Sequence, residues 1–286
     1  MMSQPHSLFD APAQPAPQRR EFGAVNWMGL WTLYKKEVRR FMKIIPQTLL
    51  APMISNLLYM IVFVLAFSER RAGAGAEDFV VFLAPGLIML GILNNAAANS
   101  SSSIMTGKLM GSINDVLMPP LASFEIALGY IGGACTRGVM VALSTGIGLA
   151  VMIPLLNLSP NLPLVPQHFW AILYFGISAS LMMAMVGVIS GLWAEKFDQL
   201  SVVNNFIIMP MSFLSGTFYH IDILPPVFKA ISLANPMFYM IDGFRYGFTG
   251  QADGNVMIGV ALMAVMNLIL FLICLRILKS GWRLKA

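Results

Sequence analysis

The 286 residues are 57% hydrophobic and only 11% charged, with a mean hydropathy of +0.74. Soluble domains carry roughly 25% charged residues, so a soluble globular class is excluded and an integral membrane protein is indicated. The formal net charge of +5 comes from Lys and Arg set beside apolar runs, which suits membrane lipids as partners and leaves little room for nucleic acid.

Residues 1–20, "MMSQPHSLFDAPAQPAPQRR", are rich in Pro, Ala and Gln and hold no apolar stretch. They are not a secretory signal peptide and are expected as a disordered cytoplasmic tail reaching residue 26. Residues 27–45 follow with Trp27, Leu30, Trp31, Tyr34, Val38, Phe41 and Ile45 at spacings of three and four, and with Thr32, Lys35, Lys36, Arg39 and Lys43 in the same rhythm on the other side. This predicts an amphipathic helix in the cytoplasmic interface, basic face toward anionic headgroups, ended by Pro46. A soluble partner-binding helix is the alternative.

Six helical spans are expected, at about 47–67, 79–99, 126–152, 169–192, 201–219 and 255–276; about 20 apolar residues suffice to cross roughly 30 Å of hydrocarbon. Arg19, Arg20, Lys35, Lys36, Arg39, Arg40 and Lys43 precede the first span, and Arg276, Lys279, Arg283 and Lys285 lie at the far end. Positive loops stay inside, so both termini are expected in the cytoplasm. The spans then enclose residues 27–286 as one membrane domain. Lys108 and Lys196 agree with this; Arg70, Arg71, Lys229 and Arg245 do not, although the first two share their loop with Glu69, Glu77 and Asp78.

Within the loop at 100–125, the stretch 104–118 alternates apolar and polar residues at helical spacing and stops at Pro119 and Pro120. A membrane-parallel docking helix and an ordinary solvated loop both fit. Arg137 lies near mid-bilayer and must face protein or water, as a pathway residue or as a structural Arg held by carbonyls or an Asn. Asn95 and Asn99, four apart, are polar glue between helices or cavity lining. Gly129 and Gly133 form GxxxG, which permits close helix packing.

The stretch "NPMFYMIDGFRYGFTG" (235–250) is too aromatic for a plain loop, yet it carries Asp242 and Arg245. As a seventh crossing it would strand one basic end outside and set both charges in lipid at about 2.5–3.5 kcal/mol each. An outer re-entrant hairpin is preferred, since Pro225, Pro226 and Pro236 interrupt helices and Gly243, Gly247 and Gly250 allow turns; an aromatic cluster at the interface is the alternative. On a helical turn Asp242 and Arg245 would share a face and pair.

Catalytic chemistry is missing. "TGKL" at 106–109 lacks the upstream Gly and the Ser or Thr of a phosphate-binding loop, His6, His168 and His220 are scattered, and no GxSxG occurs. Cys135 and Cys274 each sit in an apolar run, as packed thiols rather than a disulfide or metal pair. A secondary transporter would need carboxylates inside its spans, and none of the six spans contains Asp or Glu. A membrane-embedded enzyme is weakened by the absent groupings.

"YKKEVRRFMK" (34–43), "NDVLMPPLASFEIALGY" (114–130) and "MPMSFLSGTFYHIDILPPVFKAISLANPMFYMIDGFRYGF" (209–248) together resemble the ABC-2 type transporter permeases over about residues 30–280. The likeness is greatest to bacterial inner-membrane export permeases for nodulation factors, drugs and polysaccharides. The resemblance implies an all-α membrane fold and a permease subunit that exports a substrate it does not identify; the apolar spans with few charges suggest an amphipathic or lipid-linked one. A cytoplasmic ATP-binding subunit would hold ATP and Mg, with no cofactor on this chain, and a second permease copy would complete a homodimer. It further implies ATPase coupling through 104–118, with Lys108, Asp115 at the acidic position and Pro120 at the proline, and through "EKFDQL" (195–200) with Lys196 and Asp198. Residues 220–250 would cap the pathway, and Asn95, Asn99, Arg137, Asp242 and Arg245 are the pathway or gate candidates.

Overall fold

The computed structural model describes residues 23, 25–68, 76–156 and 166–283. The expected tail at 1–26, the loop carrying Arg70 and Arg71, and Lys285 therefore lie wholly or mostly outside the described residues. Every regular element among the described residues is helical. They are α1 (Trp27–Met42), α2 (Ala51–Ser68), α3 (Ala76–Leu109), α4 (Ile113–Leu117), α5 (Ser123–Leu155), α6 (Phe169–Trp193), α7 (Phe197–Val203), α8 (Met209–Phe213), α9 (Pro226–Ala234), α10 (Pro236–Thr249) and α11 (Val256–Ser280).

Five helices among the described residues are long and apolar enough to cross a membrane: Pro46–Ala66, Phe79–Leu109, Ser123–Leu155, Phe169–Trp193 and Val256–Ser280. The expected span at 201–219 differs. Its helix starts earlier, at Phe197, runs through a π-helical segment, Asn204–Ile208, and ends at Phe213, in pieces of 7, 5 and 5 residues. Gly216, at φ +68°, turns the chain. Carbonyls freed there are taken up locally, Ser212 O by Thr217 Oγ1 at 2.7 Å and Met211 O by Asn235 Nδ2 at 2.7 Å, as a buried helix end requires. A second π segment, Pro46–Leu50, leads into α2. In both places a proline, Pro52 or Pro210, follows two residues on, and the wider π register accommodates the hydrogen bond that proline cannot make.

The second span extends beyond its expected end at residue 99. The four serines at 100–103 continue α3, because hydroxyls bonded back to carbonyls one turn earlier remove the reason to break: Ser100 Oγ reaches Ala96 O and Ser102 Oγ reaches Asn99 O. The stretch 104–118 is consequently not one helix. It is the end of α3, a turn at Gly111 (φ +69°), and the short α4.

α3 is the central helix, 83% of its apolar window being buried, whereas α2, α5 and α11 bury 22%, 33% and 17% of theirs and form the periphery. Small residues let α6 meet α3 backbone to backbone: a Cβ at Gly187 would fall on the Ala97 carbonyl, and one at Gly191 on Ser101. Ser100 Oγ then donates across to Ala184 O at 2.7 Å.

The GxxxG of α5 seats α1. Cβ atoms at Gly129 and Gly133 would strike Leu33 and Glu37. The seam that α1 buries is thus Leu33, Glu37 and Phe41, while Trp27 and Trp31 of the expected apolar stripe are 71% and 60% exposed. The groove offered by two glycines decides the roll of the helix, and it admits a carboxylate that composition alone puts on the polar side.

Candidate functional site

Three groups of polar residues stand out, one at each end of the bundle and one in its middle. At the first end, Lys108 Nζ donates to Leu192 O at 2.9 Å and Ala194 O at 2.6 Å, capping the last turn of α6. Arg283 Nη1 adds a bond to Trp193 O at 2.7 Å, and cations belong at a helix C-terminus. These bonds bring the ends of α3, α6 and α11 together. Asn26, at the start of α1, is tied to the start of α5 through Glu125, whose Oε2 accepts from Ala122 N at 2.8 Å and whose Oε1 accepts from Asn26 N.

On that end Asp115 and Pro120 are exposed, and Met110 and Met118 are 78% and 82% exposed. Ile113 and Val116 anchor the α4 segment underneath. Lys196 and Asp198 are exposed at the start of α7, directly after the carbonyls that Lys108 caps. Lys108 itself is 7% exposed, so its ammonium joins two segments rather than facing solvent.

The opposite end holds α9 and α10. All of Pro236–Gly250 is buried or half-buried, because Gly243 and Gly247 lie against Phe175 and Ile172 of α6 with no room for a Cβ. The expected Asp242–Arg245 pair is corrected: no ion pair joins them among the described residues. Arg245 Nε donates to Phe82 O at 3.2 Å and Nη2 to Gly216 O at 2.8 Å, with the guanidinium 3.6 Å over the Phe82 ring. Asp242 instead accepts from Asp253 N at 2.8 Å and Gly254 N at 2.9 Å. Backbone groups take both side chains: the carbonyls of Phe82 and Gly216 claim Arg245, and the N–H groups of Asp253 and Gly254 claim Asp242. Burial pushes the Asp242 carboxyl up, against the pull of those two N–H groups and of Arg245. On the exposed rim, the bond from Lys229 at 2.7 Å holds the Asp222 carboxyl below its usual range.

In the middle, Asn95 and Asn99 of α3 meet Arg137 of α5, with Arg137 Nη2 at 3.1 Å from Asn95 Oδ1 and Nη1 at 3.4 Å from Asn99 Oδ1. Arg40 of α1 reaches the same place, Nη2 lying 2.7 Å from Asn99 O and 3.0 Å from Asn99 Oδ1. Glu37, fully buried, accepts from Ser103 Oγ at 2.8 Å and faces Arg40 Nε at 3.4 Å. The sequence-selected residues Asn95, Asn99 and Arg137 therefore do converge. Glu37 and Arg40 were not selected; the available signal was a single acid inside a basic run, spaced i, i+4 from Leu33 and Phe41.

Two cavities flank this cluster along α3. One, of about 300 Å³, is lined by Asn95, Asn94, Asn56, Ser55 and Tyr59, and the other, of about 260 Å³, by Ser101, Ser102, Ser201, Asn204 and Asn205. A third, of about 380 Å³, is apolar and lies among α3, α5, α6 and α10, with Ile92, Leu143, Ile177 and Phe244 on its walls. No group of three metal-ligating side chains occurs among the described residues, and Cys135 and Cys274 are free thiols.

Long apolar helices around a polar seam define a multi-pass membrane protein. The family model for the ABC-2 type transporter matches residues 28–249. The inner membrane transport permease YadH of Escherichia coli (strain K12) is 32% identical over 262 residues, covering 91% of this chain and 98% of that one. Nodulation protein J of Rhizobium leguminosarum bv. viciae is 24% identical over 270 residues, covering 90% and 95%. The chain belongs to the ABC-2 type transporter family, as a membrane transport permease.

Proposed function

We propose that this chain is the membrane subunit of an ATP-driven exporter in a bacterial inner membrane, paired with a second copy of itself and with a separate cytoplasmic ATP-binding subunit. The observation that carries the reading is the shared end of the bundle, where Lys108 ties the end of α3, which leads into exposed Asp115, Met118 and Pro120, to the end of α6, which leads into exposed Lys196 and Asp198. Two exposed segments held together by buried bonds suit a docking face that must transmit force. ATP and Mg belong to the partner, in keeping with the missing phosphate-binding loop.

In this reading that end is cytoplasmic, both termini lie there, and α7–α8 makes a sixth, short crossing. α1 starts at the inner interface, with Trp27 and Trp31 among the headgroups, and runs along α5 so that Glu37 and Arg40 reach the seam. α9 and α10 form the outer re-entrant hairpin, in which Asp242 and Arg245 lock a gate over the polar seam. Support for the location comes from the inner-membrane name of the Escherichia coli relative and from the basic ends. The test is capture of the tagged full chain from its native membrane. ATP hydrolysis should co-purify on a separate protein, fall in Asp115→Lys, and persist in Asp242→Asn. Hydrolysis by the isolated chain, or capture without any ATPase, refutes the proposal.

A further inference from the structure

The polar seam holds more positive charge than it answers. Arg40 and Arg137 converge on one amide oxygen, Asn99 Oδ1, at 3.0 and 3.4 Å. Glu37 offsets one of them, and its carboxylate lies on the Arg40 side at 3.4 Å; Arg137 has only amide oxygens. Four atoms of the cluster, Arg137 Nε, Asn99 Nδ2, Arg40 Nε and Glu37 Oε2, are buried with no hydrogen-bond partner among the described residues; the last two face each other at 3.4 Å, which leaves Arg137 Nε and Asn99 Nδ2 as donors with nothing opposite. Like charges brought together and donors left unmade are both unfavourable in a low-dielectric setting. An intramembrane charge commonly marks a substrate path.

The cluster is also reachable. Arg40 is 32% exposed at its side chain. Its Nη1 lies 3.4 Å from Ser102 Oγ, on the wall of one polar cavity, while Arg137 holds Asn95, on the wall of the other. What the Arg137 side lacks is an acceptor that is both negative and rich in oxygen. Guanidinium forks match the spacing of oxyacid oxygens.

We propose that Arg40, Arg137, Asn95 and Asn99 form a binding site for an anionic oxyacid group, a phosphate, sulfate or carboxylate, borne by the molecule that this permease moves. This rests on the permease reading above and adds the chemical class of its cargo. The oxyanion sits between the two guanidinium groups, takes bonds from Arg137 Nε and Asn99 Nδ2, and restores neutrality together with Glu37. Glu37 sets the strength of the site, since it removes one of the two positive charges.

The full-length chain, without any ATPase, is reconstituted in phosphatidylcholine nanodiscs and offered phosphatidylglycerol as the anionic amphiphile and orthophosphate as the free ion. Native mass spectrometry after release counts retained lipid, and radiolabelled orthophosphate reports the ion. The wild type should retain phosphatidylglycerol over phosphatidylcholine by about tenfold, an RT ln 10 preference. Arg137→Gln should abolish that preference, Arg137→Lys should keep part of it, and Glu37→Gln should raise it. Displacement of the lipid by orthophosphate assigns the anionic group alone as sufficient; persistence of the lipid assigns an amphiphile headgroup. Should Arg137→Gln fail to fold by tryptophan fluorescence, Arg40→Gln must show the same loss. Equal retention of both lipids by the wild type with no orthophosphate bound, or a preference indifferent to these substitutions, overturns the site. Such a result leaves the export reading standing, because that reading is judged by co-purified ATP hydrolysis.

Discussion

Replacing Arg245 by Met removes two hydrogen bonds from a charged donor, to Phe82 O and Gly216 O, and a ring stack at 3.6 Å. Each charged bond contributes about 1.5–3 kcal/mol, so the two together are worth about 3–6 kcal/mol. Met nearly matches the volume, so the loss is polar rather than a cavity, and about 3–6 kcal/mol of stability should disappear. Arg245→Lys keeps the charge but not the fork, and should recover less than half. The exchange of Asp242 and Arg245 for one another should recover nothing, because each side chain bonds backbone that the other cannot satisfy. SDS titration of the full chain in bicelles, followed by tryptophan fluorescence, measures all three. Substantial recovery in the exchanged variant would mean that the two charges act as a pair, and would refute the assignment of Arg245 to the backbone of α3 and of the turn at Gly216.

The seat of α1 gives a second prediction: Gly133→Leu should force α1 away from α5 and destabilise by about 1–3 kcal/mol, with faster proteolysis of residues 27–42; unchanged protection would place α1 elsewhere. Lys108→Met leaves the Leu192 and Ala194 carbonyls bare, so hydrogen exchange at 193–199 should quicken while α10 is unaffected; equal quickening in α10 would deny the local role. Reporter fusions after residue 25 and at the C-terminus should both read cytoplasm, and one near Ser159 the outer side. A cytoplasmic signal near Ser159 would break the six-crossing arrangement.

Much of the fold was legible because hydrophobic length is a strong signal in a membrane. The helices through Pro46–Ala66, Phe169–Trp193 and Val256–Ser280 fall where the apolar runs lie. Legibility failed where side chains satisfy backbone in ways that composition does not display. Serines 100–102 resemble a loop, yet they bond their own helix. The stretch 201–219 resembles a span, yet Gly216 and the hydroxyls around it close the helix at Phe213. Within the candidate site, Asn95, Asn99 and Arg137 were visible as polar residues in apolar helices. Glu37 and Arg40 were hidden in a basic run, since only the glycines of another helix, Gly129 and Gly133, determine which face of α1 turns inward.

The most direct test of the account is photo-crosslinking in native membranes. A photoreactive residue in place of Met118, 82% exposed on the α4 end, is compared with one in place of Ile223, 70% exposed on the α9 end. The account predicts that Met118 crosslinks to a separate ATP-hydrolysing protein and that Ile223 does not. Crosslinking of that protein through Ile223, with none through Met118, would contradict it.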